Sequence, residues 1–210
     1  MELKKYLDLR NVRTDALERR FDVIAKLLLQ TYHIQKGTDA YDFLEVEFYY
    51  YTEEHKDVIT YPRTSGAGKW FFHQSGVDIT FESEHGKFYG GILVRSLLKN
   101  GEEVIAGPLK CKWNLFDAFD AFEVKEVEQP LIKRKKELTA KQIFKTRRQI
   151  ACDKEKAMKR FRNNYDSFEK FLLSPYRYYV RDDKWKSYSV SQYNAIPWGR
   201  TGKDEIPLPD

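Results

Sequence analysis

The stretch Phe43-Leu-Glu-Val-Glu-Phe-Tyr-Tyr-Tyr51 decides the fold. Leu44, Val46, Phe48 and Tyr50 alternate with Phe43, Glu45, Glu47, Tyr49 and Tyr51, and neither glycine nor proline interrupts the run. Side chains two apart share a face of an extended chain, so the segment reads as a strand with one apolar face and one that sets two carboxylates among tyrosines. Upstream, Leu17, Phe21, Ile24, Ala25, Leu28 and Leu29 recur at helical spacing behind Asp15, Glu18 and Asp22, which predicts an amphipathic helix from Thr14 to about His33. Gly37, Thr38 and Asp39 supply the turn into the strand.

Downstream, a polar loop through Pro62, Arg63, Gly66 and Gly68 leads to strands at Trp70 to His73 and Val77 to Phe81, joined by a hairpin around Gln74, Ser75 and Gly76. Gly90 to Leu98 is a buried type of strand holding one charge, Arg95. Gly107 and Pro108 mark a break. Further strands are expected at Phe122 to Val127 and Thr146 to Ala151, then a helix from Asp153 to Leu173 and a turn-rich tail after Asp182. No repeat or Pro/Ser-rich linker divides the chain, so residues 1–210 are expected to form one mixed α/β domain.

At 210 residues a chain buries enough core to fold without staples. Cys111 and Cys152, with no signal peptide in view, predict free thiols and a cytoplasmic location. The apolar runs Leu27 to Leu29 and Gly90 to Leu98 fall short of the roughly 20 residues a membrane span needs, so no membrane partner is expected. Hydrophobic residues at 41% exclude disorder.

The net charge of +5 conceals an asymmetry. Residues 131–162 hold 13 Lys and Arg against 3 acids, net +10, which leaves 24 against 29, net −5, for the rest. Such a cluster is either a solvated face or a grip on a polyanion.

Glu45 and Glu47 lie about 7 Å apart on one strand face, as an acid/base pair or as the polar outside of an edge strand. Arg95 among Ile92, Leu93, Val94 and Leu97 is always charged, so burial would demand a carboxylate, with Glu45 or Glu47 as partner; otherwise it sits on a wet face. His33, His55, His73 and His85 fit no metal spacing, and no metal or other cofactor is expected. Gly66, Gly68 and Lys69 do not make a phosphate loop, because Arg63 and Trp70 stand at its required glycine and hydroxyl positions. Ser75-Gly76 forms no nucleophile elbow.

Taken in order, these segments resemble the methylpurine-DNA glycosylases, also called alkyladenine or 3-methyladenine DNA glycosylases. Ala25-Lys-Leu-Leu-Leu29 is similar to that family's Leu-Ala-x-x-Leu-Leu helix, and Leu44-Glu-Val-Glu-Phe-Tyr49 to its Val-Glu-x-Glu-Ala-Tyr strand, followed by His55. Gly91-Ile-Leu-Val-Arg-Ser-Leu97 resembles Val-Leu-Leu-Arg-Ala-Leu, and Gly107-Pro-Leu-Lys110 resembles Gly-Pro-Gly-Lys. Thr146-Arg-Arg148 and Pro175-Tyr-Arg-Tyr-Tyr-Val180 are similar to Thr-Pro-Arg and Pro-Trp-Arg-Phe-Tyr-Val.

The resemblance implies a compact α+β domain with a mostly antiparallel sheet flanked by helices. It implies a monofunctional DNA N-glycosylase of base excision repair that removes an alkylated purine from duplex or single-stranded DNA. Glu47 would activate water and Arg95 would help hold it. Tyr49, His55, Phe72 and His73 would wall the base pocket, and Lys145, Arg147 and Arg148 would grip the DNA backbone. A carboxylate suits this chemistry, because cleavage of an N-glycosidic bond develops positive charge on the sugar. Aromatic side chains suit an extruded base. Where the family has Tyr-x-x-Tyr-Gly, this chain reads Phe72-His-Gln-Ser-Gly76, with Ser75 in place of a wedge. The rival expectations are a nucleoside- or nucleotide-binding protein, a hydrolase of small N-ribosides, or a DNA-binding relative without turnover.

Overall fold

A computed structural model of the chain describes residues 2–116, 121–123, 126–138, 140–148, 154–181 and 206–208. The decisive stretch is the middle of β2 (Asp39–Thr52), which pairs along its length with β5 (Phe88–Lys99). One edge of β2 takes β1 (Tyr32–Lys36) at its start and β9 (Arg177–Val180) at its middle. β9 leads on to β8 (Ile143–Thr146) and β10 (Ile206–Pro207), and β1 to β7 (Leu131–Arg134). Beyond β5 lie β4 (Gly76–Thr80) and β3 (Trp70–His73), and β6 (Glu103–Ala106) pairs with Ser96 to Lys99 at the end of β5. All of these pairings are antiparallel. The curled sheet is flanked by α1 (Glu2–Tyr6), α2 (Leu17–Lys26), α3 (Pro108–Leu115), α4 (Lys154–Arg160) and α5 (Tyr165–Leu173), so the fold is mixed α/β, as the sequence pattern implies.

The core forms where the apolar face of β2 and β5 meets α2. Val46, Phe48, Tyr50, Ile92 and Val94 are buried against Leu17, Phe21, Ile24, Ala25 and Leu28. The Phe21 ring lies 4.8 Å from Phe48 and 5.1 Å, edge-on, from Tyr176. Each such pair adds about 0.5–1.5 kcal/mol beyond its area burial.

Four element assignments need correction. The helix expected to reach His33 ends in a π turn, Leu27–Thr31, and Tyr32–Lys36 is β1 instead. There Tyr32 and Ile34 are buried and His33 and Gln35 half-buried, a period of two that the Gly37 turn folds back onto β2. The helix expected from Asp153 to Leu173 is broken between Phe161 and Asn164 into α4 and α5, and Phe161 stacks on Phe168 at 4.6 Å across the break. The strand expected from Thr146 ends there, β8 having begun at Ile143, and residues 149–151 lie outside the described ones. Of Phe122 to Val127, the four described residues form no strand. The tail after Asp182 lies almost wholly outside the described residues, and so does Cys152.

The ladder between β2 and β5 is irregular at one place. Phe43 faces Leu97 and Glu45 faces Ser96, which skips Leu44; Val46 then faces Val94, which skips Arg95. The two one-residue irregularities cancel, and one register holds on either side.

Candidate functional site

The alternation that turns Val46, Phe48 and Tyr50 to the core turns Glu45, Glu47 and Tyr49 to the other face of β2. Glu45 and Glu47 are both 0% exposed, and buried carboxylates need cations or hydrogen bonds. Arg95 supplies both, donating from Nη1 to Glu47 Oε2 at 3.0 Å and from Nε to Glu45 Oε1 at 3.2 Å. Ser96 Oγ donates to Glu45 Oε2 at 3.0 Å, and β9 brings Arg177 into an ion pair with Glu45 at 2.5 Å. Burial alone would raise the Glu45 carboxyl, but the charges of Arg177 and Arg95 outweigh it, and the group titrates below its usual range. Tyr49 donates its hydroxyl to Glu47 Oε2 at 2.7 Å. Burial, and next the charge of Glu47, hold that phenol well above its ordinary value, so it stays a donor.

A second ion pair lies beside the first. Asp78 of β4 takes Arg63 Nη1 at 2.6 Å and His73 Nε2 at 3.0 Å. Ser75 N–H donates to His73 Nδ1 at 3.2 Å, so the proton of the neutral ring belongs on Nε2, facing Asp78. Arg63 reaches Asp78 by lying against Gly91: a Cβ there would stand 2.7 Å from Arg63 Nη1. The floor of the site therefore balances three carboxylates, Glu45, Glu47 and Asp78, against three guanidiniums, Arg63, Arg95 and Arg177.

Above this floor opens a cleft of about 710 Å³. Tyr49, Leu93, Arg95, Arg63, His73 and Asp78 line its base, Ile59 and Tyr61 one wall, and Gln74 and Ser75 the tip of the β3–β4 hairpin. Another wall is the start of α3, from Gly107 to Lys110. Gly107 makes that wall possible, since its φ of +110° turns β6 into α3 while its N–H donates to Arg95 O at 2.9 Å. Lys110 and Arg160, both exposed, add two cations at the rim, and Asp78 is the sole acid among the described lining residues. The site thus offers a charge-balanced, aromatic base under a cationic mouth.

The expected site residues divide over the structure. Arg95, Tyr49 and His73 line the cleft, and Glu47 lies directly beneath Arg95 and Tyr49 without surface of its own. His55 is placed elsewhere: it is buried against Phe171 at 4.4 Å, Tyr176 at 5.8 Å and Tyr50 at 6.4 Å. Among the described residues its Nε2 has no hydrogen-bond partner, and burial pushes its pKa down to about 4. Phe72 points to the face of β3 opposite His73 and packs edge-on against Phe116 at 4.6 Å, so it does not wall the cleft.

The expected backbone grip is also revised. Arg148 is fully buried and bidentate on Asp57, at 2.7 and 3.1 Å, so its guanidinium meets no phosphate. Lys145 is held by Glu18 at 2.7 Å and Asp22 at 3.1 Å, two carboxylates that already neutralise it. Arg147 is half-buried at the end of β8.

Sequence reasoning missed Arg63, Asp78, Lys110, Arg160 and Arg177. Asp78 left a signal as a carboxylate between Val77 and Ile79 in an apolar strand, and Lys110 and Arg177 stand in segments that carry the resemblance. Comparison of the chain with protein-family models, with curated proteins and with solved structures finds no match.

Proposed function

We propose that the cleft over Arg95 is a pocket for a purine nucleoside unit, of the kind that methylpurine-DNA glycosylases use, and that Glu47 serves N-glycosidic hydrolysis there. The observation that carries this reading is the meeting of Glu47, Tyr49 and Arg95 under one cleft, with Arg95 Nη1 3.0 Å and Tyr49 Oη 2.7 Å from the same carboxylate oxygen. Water oxygen would bond to the anomeric carbon as the carbon–nitrogen bond breaks. The bonding pair would leave with the base, and the water proton would pass to Glu47. The carboxylate would also face the positive charge that develops on the sugar. Tyr49, Tyr61 and His73 offer ring surface for a purine, and the cationic rim suits its phosphate.

One observation favours a second reading, a nucleotide-binding protein without turnover. Glu47 is 0% exposed, so water reaches it only if a side chain that covers it, Arg95 or Tyr49, moves off it.

Incubating the protein with alkylated duplex and alkylated single-stranded DNA separates the two. Abasic sites that vanish in Glu47→Gln, with the variant's circular dichroism unchanged, support hydrolysis. Calorimetric binding of an alkylated purine nucleoside, equal in native protein and Glu47→Gln and without base release, supports the second reading. Absence of both binding and release refutes both.

A further inference from the structure

We infer that the outward face of α3, with Phe72 beside it, is a stacking surface for single-stranded nucleic acid leading away from the cleft. The inference rests on the cleft being a nucleotide pocket and names the kind of chain to which that nucleotide belongs. Trp113 is 67% exposed and Phe72 49%, an unusual presentation for rings that ordinarily bury most of their area. α3, Pro-Leu-Lys-Cys-Lys-Trp-Asn-Leu, contains two lysines and no acid. Lys110 stands on the cleft rim, and Lys112 Nζ donates to His73 O at 3.3 Å, tying the helix to the hairpin. Phe116, which ends the helix, holds the Phe72 ring edge-on at 4.6 Å. The face therefore runs from the cleft mouth through Trp113 to Phe72, with cations interleaved.

Interleaved cations and rings fit a polyanion that also has bare π-faces, which is a nucleic acid strand. The open ring face selects the single-stranded form. Trp113 presents a ring 67% exposed, and such a ring stacks only on a base whose face is not already covered by its neighbour, as every base inside a duplex is. A strand lying on this face must have its bases parted. The hairpin tip, Gln74 and Ser75, carries no bulky group to part a duplex.

The test titrates the full-length protein with fluorescent oligothymidylate and with a duplex of equal length. Oligothymidylate should bind more tightly than duplex, with an affinity that falls as salt rises. Trp113→Ala and Phe72→Ala should each weaken it roughly fivefold to a hundredfold, the scale of one lost base–ring stack. Leu131→Ala, which trims an equally exposed apolar side chain on β7, should change nothing. Unfolding midpoints confirm that the variants are folded.

Unchanged affinity in both ring variants overturns the inference, as does an equal loss for duplex. Self-association abolished by Trp113→Ala, with no oligonucleotide bound, overturns it in favour of a protein partner. If an alkylated nucleoside binds but oligothymidylate binds no tighter to native protein than to Trp113→Ala, this surface fails and the cleft reading stands. If oligothymidylate binds through Trp113 while the nucleoside does not bind, the cleft reading fails and the surface stands.

Discussion

Replacing Asp57 by asparagine tests what fastens the basic segment to the sheet. Asp57 and Arg148 are both 0% exposed, and the aspartate takes two guanidinium hydrogen bonds, at 2.7 and 3.1 Å. The other guanidinium N–H groups go to the carbonyls of Phe48 and Phe171, so one side chain links β2, the loop after it and α5. Arg148 cannot shed its proton when its partner is lost. Asparagine keeps one acceptor but turns an NH2 toward a guanidinium N–H, leaving a buried charge half satisfied. The expected cost is about 3–5 kcal/mol, a large share of the roughly 5–15 kcal/mol by which domains are stable.

Urea unfolding followed by far-ultraviolet circular dichroism should show the midpoint of Asp57→Asn lowered accordingly. Arg148→Met should cost as much, and the double variant Asp57→Asn/Arg148→Met should cost less than the sum of the singles by about 2 kcal/mol or more, since each single loss strands the other group. A loss under about 1 kcal/mol in Asp57→Asn, or additive singles, would refute the reasoning that this pair is a buried cross-link.

Three further outcomes follow from the packing. The His55 pKa falls from 6.5 unfolded to about 4 folded through burial, so the unfolded state binds the extra proton: its contribution is complete above pH 6.5 and is lost as pH falls toward 4. Native protein should lose about 2–3 kcal/mol more than His55→Phe between pH 7.5 and 4.5 in urea titrations, and parallel pH profiles would exclude His55 as the cause. Gly91→Ala sets a methyl 2.7 Å from Arg63 Nη1 and 3.0 Å from Ile79 O, so it should cost about 1–3 kcal/mol and weaken nucleoside binding by displacing Arg63. A fully stable Gly91→Ala would mean that Arg63 does not lie on the strand. Burial pushes the Cys111 thiol up, so in a Cys152→Ser background it should react with a disulfide reagent only on unfolding, and prompt reaction in native buffer would contradict its burial.

The sheet's centre was legible because it obeys one rule. Period-two alternation from Phe43 to Tyr51 and the apolar run from Gly90 to Leu98 locate β2 and β5 to within a few residues, and the charge of Arg95 among apolar neighbours points to its carboxylate partner. The rest of the site was not legible, because its members come from separate stretches and take meaning only from tertiary contact. Arg63 is a loop residue until Gly91 lets it reach Asp78, and Arg148 looks like one more cation of a basic run until Asp57 is found beneath it. β1 was hidden because Tyr32 and Ile34 continue the apolar count of the preceding helix. The sequence also cannot tell a helix broken at Phe161–Asn164 from a continuous one, as no proline or glycine marks the place.

The skipped residues Leu44 and Arg95 give the fold a property of descent. Deleting either alone would slide β2 against β5 by one position and turn every later side chain of that strand to the wrong face. Deleting both would leave an unbroken ladder, with the same pairs at Tyr41↔Lys99 and Tyr51↔Tyr89, and without the arginine that binds Glu45 and Glu47. Among descendants of this scaffold, insertions at these two points should therefore appear and vanish together, and a lineage that sheds them would keep its sheet while losing its cleft floor.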